Sequence, residues 1–148
     1  MMQQSTVKFF MKKDDIKNSA DLFFYKATSD LNSAKYLLKA FENSEIEIDL
    51  ETIMFHLQQS AEKLLKSLLS HNIVRVSKTH DIKEIIKIAI NNNIEIINGT
   101  ELLIDLTSYA VEGRYAIIHD DLDDTNKYIK ILEELQLFVQ KQISSEII

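Results

Sequence analysis

The chain has 148 residues, of which 45% are hydrophobic and 27% are charged, and its formal net charge is −6 at pH 7. This length and composition predict one globular domain with its own core and exclude an intrinsically disordered chain. The acidic balance disfavours a protein that holds nucleic acid by bulk electrostatics, but it is compatible with a small basic pocket on an acidic body.

The chain has no cysteine and no proline, and it has only two glycines. Disulfides and thiolate metal sites are therefore excluded. A β-rich fold with many tight turns normally needs more glycine and proline, so the composition predicts an all-helical domain. No apolar run is long enough to span a membrane and no signal peptide is visible, and we expect a cytosolic protein.

The pattern along the chain begins with an irregular segment. Residues 1–17 mix apolar and charged residues without a helical period, which predicts a flexible N-terminal arm, and residues 18–148 are predicted to form the folded domain. Apolar residues at three- and four-residue steps predict a long first helix over residues 19–42, with Ser19 as its N-cap.

A second helix is predicted over residues 50–71, where another apolar stripe recurs at helical spacing. Gln58 and Glu62 lie at the boundary between its two faces. A polar pair in this position is usually a solvated edge, and it can alternatively serve an interface or a ligand pocket. The predicted solvent face carries His56, Gln59, Lys63, Lys66 and Ser70.

Three further helices follow a loop that is locally rich in basic residues. Asp81 begins a short third helix, Thr100 is predicted to cap a fourth helix, and a last helix ends near Ile143. Long amphipathic helices with short connections predict an up-and-down antiparallel bundle of four long helices plus one short helix. The basic side chains of the loop are Arg75, Lys78 and His80.

The pair Arg114 and His119 is the strongest candidate for catalysis. An arginine can hold a phosphate with two hydrogen bonds, and a histidine can move a proton at neutral pH, which together are sufficient for RNA cleavage without metal. Five residues of continuous helix turn about 500°, so the two side chains converge only if the helix breaks at Gly113 or if two subunits build the cleft.

Other chemistries have weaker support in the sequence. No histidine lies at the spacing of a helical metal site such as Glu-x-x-His, and we predict no metal site and no cofactor. The acidic run over residues 120–124 is typical of a helix cap. The chain has no Gly-rich phosphate loop and no nucleophile elbow.

Four stretches of the chain together form a recognisable signature. The first helix carries ATSDLNSAKYLL over residues 27–38, and the second carries HLQQSAEKLLKSLL over residues 56–69, which is the most specific part. THDI follows at residues 79–82, and the pair Arg114-Tyr115 comes later in the chain. Together these stretches resemble the HEPN domain family, whose domain has a similar Arg-Tyr pair near its end, and the resemblance covers roughly residues 20–143.

This resemblance implies a helical bundle, commonly a homodimer, that acts with a minimal nucleotidyltransferase, often as a toxin–antitoxin pair. Some members are metal-independent ribonucleases with an Arg-x4-6-His motif, which corresponds here to Arg114 and His119. Two positions depart from the pattern. Tyr115 stands where catalytic members usually have a small polar residue, and Asp121 stands where members paired with an AMP-transferring antitoxin usually have a tyrosine.

Two functional hypotheses follow. The first is a dimeric ribonuclease toxin that uses Arg114 and His119. The second is a non-catalytic helical dimer that binds a nucleotidyltransferase or a nucleotide, which the departures and the acidic charge favour. The candidate residues for binding a partner or nucleotide are Tyr115, Gln59, Lys63 and His80.

Overall fold

A computed structural model describes residues 11–110 and 122–144 of the chain. Within these ranges every regular element is helical and none is a strand, which confirms the predicted all-α class. The elements are a 3-10 helix at Lys13–Asp15, α1 at Ser19–Glu42, α2 at Leu50–His71, α3 at Ile82–Asn91, a second 3-10 helix at Thr100–Tyr109, and α4 at Leu122–Ile143.

Hydrogen bonds between α1 and α2 show that these two helices are antiparallel. The hydroxyl of Ser67 donates to the carbonyl of Ala20 at 2.8 Å, and the hydroxyl of Ser60 donates to the carbonyl of Ala27 at 2.9 Å. Moving seven residues forward along α2, from Ser60 to Ser67, therefore moves the contact seven residues backward along α1, from Ala27 to Ala20. All four side chains are small and buried, which lets the two backbones approach closely.

Side-chain caps define the starts of α1, α2 and α3. Asn18, rather than the predicted Ser19, caps α1, because its side chain accepts a hydrogen bond from the amide of Asp21 at 2.8 Å. Asp49 caps α2 through the amide of Glu51, and Asp81 caps α3 through the amide of Lys83. Short polar side chains at these positions satisfy amides that have no partner within the helix.

The predicted fourth helix is a ten-residue 3-10 helix, Thr100–Tyr109, in the structure. Thr100 does not cap it, because its hydroxyl donates backwards to the carbonyl of Ile97 at 2.8 Å. The preceding Gly99 has a φ of 98°, a left-handed conformation that favours glycine. This helix packs on α2 and α3, and Thr107 accepts a hydrogen bond from the amide of Ile82 at 3.2 Å.

Helix α2 is the centre of the molecule, since α1, α3, α4 and the second 3-10 helix all pack against it. Thirteen of its 22 residues are buried. Lys66 is among them, so its predicted place on the solvent face is wrong, and the boundary residues Gln58 and Glu62 are also buried. No helix within residues 11–110 and 122–144 is long and apolar enough to cross a membrane.

The N-terminal segment is described only from Met11 onwards. Met11 is partly buried against the core, and the short 3-10 helix Lys13–Asp15 follows it. The flexible arm over residues 1–17 stays a prediction.

We predict that Ala27→Leu destabilises the protein by about 1–3 kcal/mol, because the larger side chain has no space between α1 and α2. Ala27 is fully buried in this contact, whereas Lys26 is exposed on the same helix. Urea unfolding of both leucine variants measures the effect, and Lys26→Leu is the control. Equal stability of the two variants contradicts the close α1–α2 contact.

Candidate functional site

The residues of the predicted catalytic motif lie outside the described part of the chain. Arg114, Tyr115 and His119 fall within residues 111–121, so their roles stay predictions. The described residues on either side of this segment are both anchored on the core. Thr107 bonds to the first residue of α3, and Thr125 donates to the sulfur of Met54 on α2 at 3.7 Å.

Lys63, a predicted binding residue, is held by the first helix. Its Nζ donates to Oδ2 of Asp30 at 2.8 Å, while the other oxygen of the same carboxylate lies 3.1 Å from Nδ1 of His56. All three side chains are half-buried, with exposed fractions of 17–27%. Asp30 therefore joins α1 to two basic side chains on α2, and it orients the ring of His56 through one nitrogen.

His80, a second predicted binding residue, is joined to a buried charge pair. Its Nδ1 lies 3.0 Å from Oε1 of Glu62, and Oε2 of the same carboxylate accepts from Nζ of Lys66 at 2.8 Å. The side chains of Glu62 and Lys66 are only 6% and 7% exposed, whereas that of His80 is 64% exposed. His80 thus connects a buried ion pair to the surface.

Gln59, the third predicted binding residue that the structure describes, extends this network. Its Nε2 donates to Oε1 of Gln58 at 2.7 Å. The amide nitrogen of Gln58 in turn donates to Glu62 at 3.1 Å and to the carbonyl of His80 at 3.4 Å. The hydrogen bonds therefore run continuously along α2 from Gln59 to Lys66.

These contacts lower the pKa of Glu62. Burial by itself raises the pKa of this carboxyl, but the hydrogen bonds from Lys66, Gln58 and His80 favour the charged form and outweigh it. Glu62 is therefore an ionised side chain in a buried position.

Local turn chemistry fixes the position of His80. The hydroxyl of Thr79 accepts from the amide of Asp81 at 3.0 Å, and the carboxylate of Asp81 caps α3. Threonine and aspartate commonly make such local bonds to backbone amides. The sequence Thr79-His80-Asp81 therefore places the histidine immediately before α3, with its ring towards Glu62.

In the structure, three of the predicted binding residues are therefore on α2 or bonded to it. Gln59 and Lys63 lie one turn apart on α2, and His80 is bonded to it. The buried pair Glu62–Lys66 was not predicted as a pair, although its four-residue spacing is the usual one for ion pairs on a helix. Among the residues that the structure describes, no three histidine, aspartate or glutamate side chains form a group that could hold a metal ion.

A family model described as HEPN domain matches residues 20–142. This chain belongs to the HEPN domain family. No curated protein and no solved structure matches the chain. The HEPN match extends from α1 to α4, and it therefore includes both the buried network on α2 and the predicted catalytic pair Arg114 and His119.

We predict that Glu62→Leu costs about 3–5 kcal/mol of stability, because it leaves the charge of Lys66 buried without an anionic partner. Adding Lys66→Met to this variant removes the unpaired charge and should restore part of the loss. Urea unfolding of the two single variants and the double variant measures the coupling. Additive losses contradict a direct contribution of the ion pair.

The pKa of Glu62 also predicts a dependence of stability on pH. Because folding lowers this pKa below its ordinary value of 4.5, the stabilisation is fully present above pH 4.5 and is lost as the pH falls through the folded-state pKa. Unfolding free energies between pH 6 and 3 should therefore fall less steeply for Glu62→Gln than for the wild type. Glu45→Gln, at an exposed site, is the control and should keep the wild-type slope.

Proposed function

We propose that this HEPN protein acts in the cytosol, as a homodimer, with a minimal nucleotidyltransferase partner in a toxin–antitoxin type system. We further propose that Arg114 and His119 cleave RNA without a metal ion. The observation that carries the proposal is the family match over residues 20–142, which includes an arginine and a histidine at the family's Arg-x4-6-His spacing.

The proposed reaction needs only these two side chains and water. Neutral His119 takes the proton of a ribose 2′-hydroxyl, and the resulting oxygen attacks the adjacent phosphorus. The bond from phosphorus to the 5′-oxygen breaks, and this oxygen takes a proton from water. Arg114 stabilises the negative charge on the phosphate oxygens with its two parallel N–H groups. The products are a 2′,3′-cyclic phosphate and a 5′-hydroxyl.

A second function, a non-catalytic module that binds the nucleotidyltransferase or a nucleotide, has specific support in the sequence. Tyr115 replaces the small polar residue of catalytic members, and it is a candidate binding residue in this reading. Asp120 and Asp121 add negative charge beside His119, which disfavours an RNA phosphate at this position. Gln59, Lys63 and His80 are the other binding candidates.

We predict that the purified protein cleaves total RNA in the presence of EDTA and leaves 2′,3′-cyclic phosphate ends. Arg114→Ala and His119→Ala should each lower the cleavage rate at least 100-fold, since each removes a group that acts in the transition state. Gel electrophoresis and end-group analysis of the RNA measure both results.

His71→Ala is the matched control, because His71 is exposed and lies outside the proposed site. It should retain the wild-type rate. If RNA stays intact while the protein co-purifies with a nucleotidyltransferase, the non-catalytic module is correct. Cleavage that survives both Arg114→Ala and His119→Ala assigns the activity to a contaminant.

A further inference from the structure

The described part of the N-terminal segment runs back along α1. Met11 lines a cavity of about 320 Å³, and the other lining residues are all on α1: Tyr25, Thr28, Ser29 and Asn32. The nearest and the farthest of them lie 6 and 13 residues beyond Ser19, the start of α1, which is about 9–20 Å along a helix. The chain between Met11 and Ser19 is therefore antiparallel to α1.

The stripe of α1 beside this cavity continues to an exposed aromatic ring. Tyr25, Ser29, Asn32 and Tyr36 recur at steps of four, three and four residues, so they lie on one side of the helix, which we call the outer face. Tyr36 is 73% exposed and is the only exposed aromatic side chain within residues 11–110 and 122–144. The outer face thus presents an uncovered ring one turn beyond the cavity.

The residues that precede Met11 carry an apolar pattern that fits this face. Val7, Phe9 and Met11 stand at alternate positions, with Lys8 between the first two. In an extended chain alternate side chains point to the same side. Lys12 has an extended backbone, with φ −94° and ψ 165°. An extended continuation beyond Met11 therefore turns Phe9 and Val7 towards α1.

The spacings of the segment and the outer face also match. Two residues of extended chain rise about 6.6 Å, and four residues of helix rise about 6 Å. A move from Met11 to Phe9 therefore moves the contact by about one helical turn, from the cavity to Tyr36. Aromatic side chains bury about 150–250 Å² each when they are covered, which offsets the entropy lost by ordering a short segment.

We propose that residues 7–10 dock on the outer face of α1, with the ring of Phe9 against that of Tyr36. The occupant is the segment of the same chain, because Met11 anchors it beside this face and a short tether gives a high effective concentration. The proposal goes beyond the proposed function, since residues 7–10 precede the HEPN match. It replaces the predicted flexible arm with a docked segment at these positions.

The test uses tryptophan fluorescence, because the chain contains no tryptophan and an introduced one reports only its own surroundings. Phe9→Trp keeps an aromatic ring at the proposed contact. Phe10→Trp is the matched control, since the neighbouring position of an extended segment points away from α1. Quenching by acrylamide measures the exposure of each tryptophan in the full-length chain.

We expect acrylamide to quench Phe9→Trp about threefold more slowly than Phe10→Trp, because a ring packed on Tyr36 is shielded from water and quencher alike. Adding Tyr36→Ser should remove most of this protection, whereas adding Ile90→Ser, at an exposed site on α3, should leave it unchanged. Equal quenching of the two tryptophans, or protection that survives Tyr36→Ser, overturns the proposal.

A photo-crosslink distinguishes docking within one chain from docking on a second copy. With p-benzoylphenylalanine in place of Phe9, mass spectrometry should locate the crosslinks in residues 32–40 of α1, and the crosslinked chain should migrate as a monomer in a denaturing gel. A crosslinked dimer assigns the segment to a second copy and contradicts the proposal, as do crosslinks to other helices or none at all. Neither measurement involves RNA, so the result is independent of the proposed function.

Discussion

The ion pair between Glu62 and Lys66 is the constraint on which the surroundings of α2 depend. Two charges in a nearly dry position are stable only when further hydrogen bonds satisfy the remaining polar atoms, and here Gln58 and His80 supply them. The bond to His80 ties the end of the connection between α2 and α3 to α2. The buried charges and the exposed side chain of His80 therefore share one hydrogen-bond network.

Much of the fold could be predicted from the sequence, because each α-helix has a clear apolar period, and α1, α2 and α3 each begin at a short polar cap. The bounds of α1 and α2 coincide with the predicted ones, and Asp81 was predicted to begin the third helix, which it caps in the structure. The second 3-10 helix could not be predicted, because a 3-10 and an α-helix of ten residues carry similar apolar patterns. Its distinguishing backbone bonds join residues three apart, as from the amide of Leu102 to the carbonyl of Gly99 at 3.0 Å, and they are visible only in the structure.

The site shows where reasoning from one helix at a time fails. Lys66 was predicted to be exposed because its position on the helix lies opposite the apolar stripe. Its burial results from the packing of four elements around α2, together with a carboxylate one turn earlier on the same helix. The family resemblance, by contrast, depends on a run of residue types, and the match over residues 20–142 confirms it without any geometry.

The central claim is that the ion pair between Glu62 and Lys66 contributes directly to the stability of α2 and its surroundings. A double-mutant cycle with Glu62→Leu, Lys66→Met and the double variant, followed by urea unfolding, tests this most directly. The account predicts that the double variant loses less stability than the sum of the two single losses. Additive losses would contradict it.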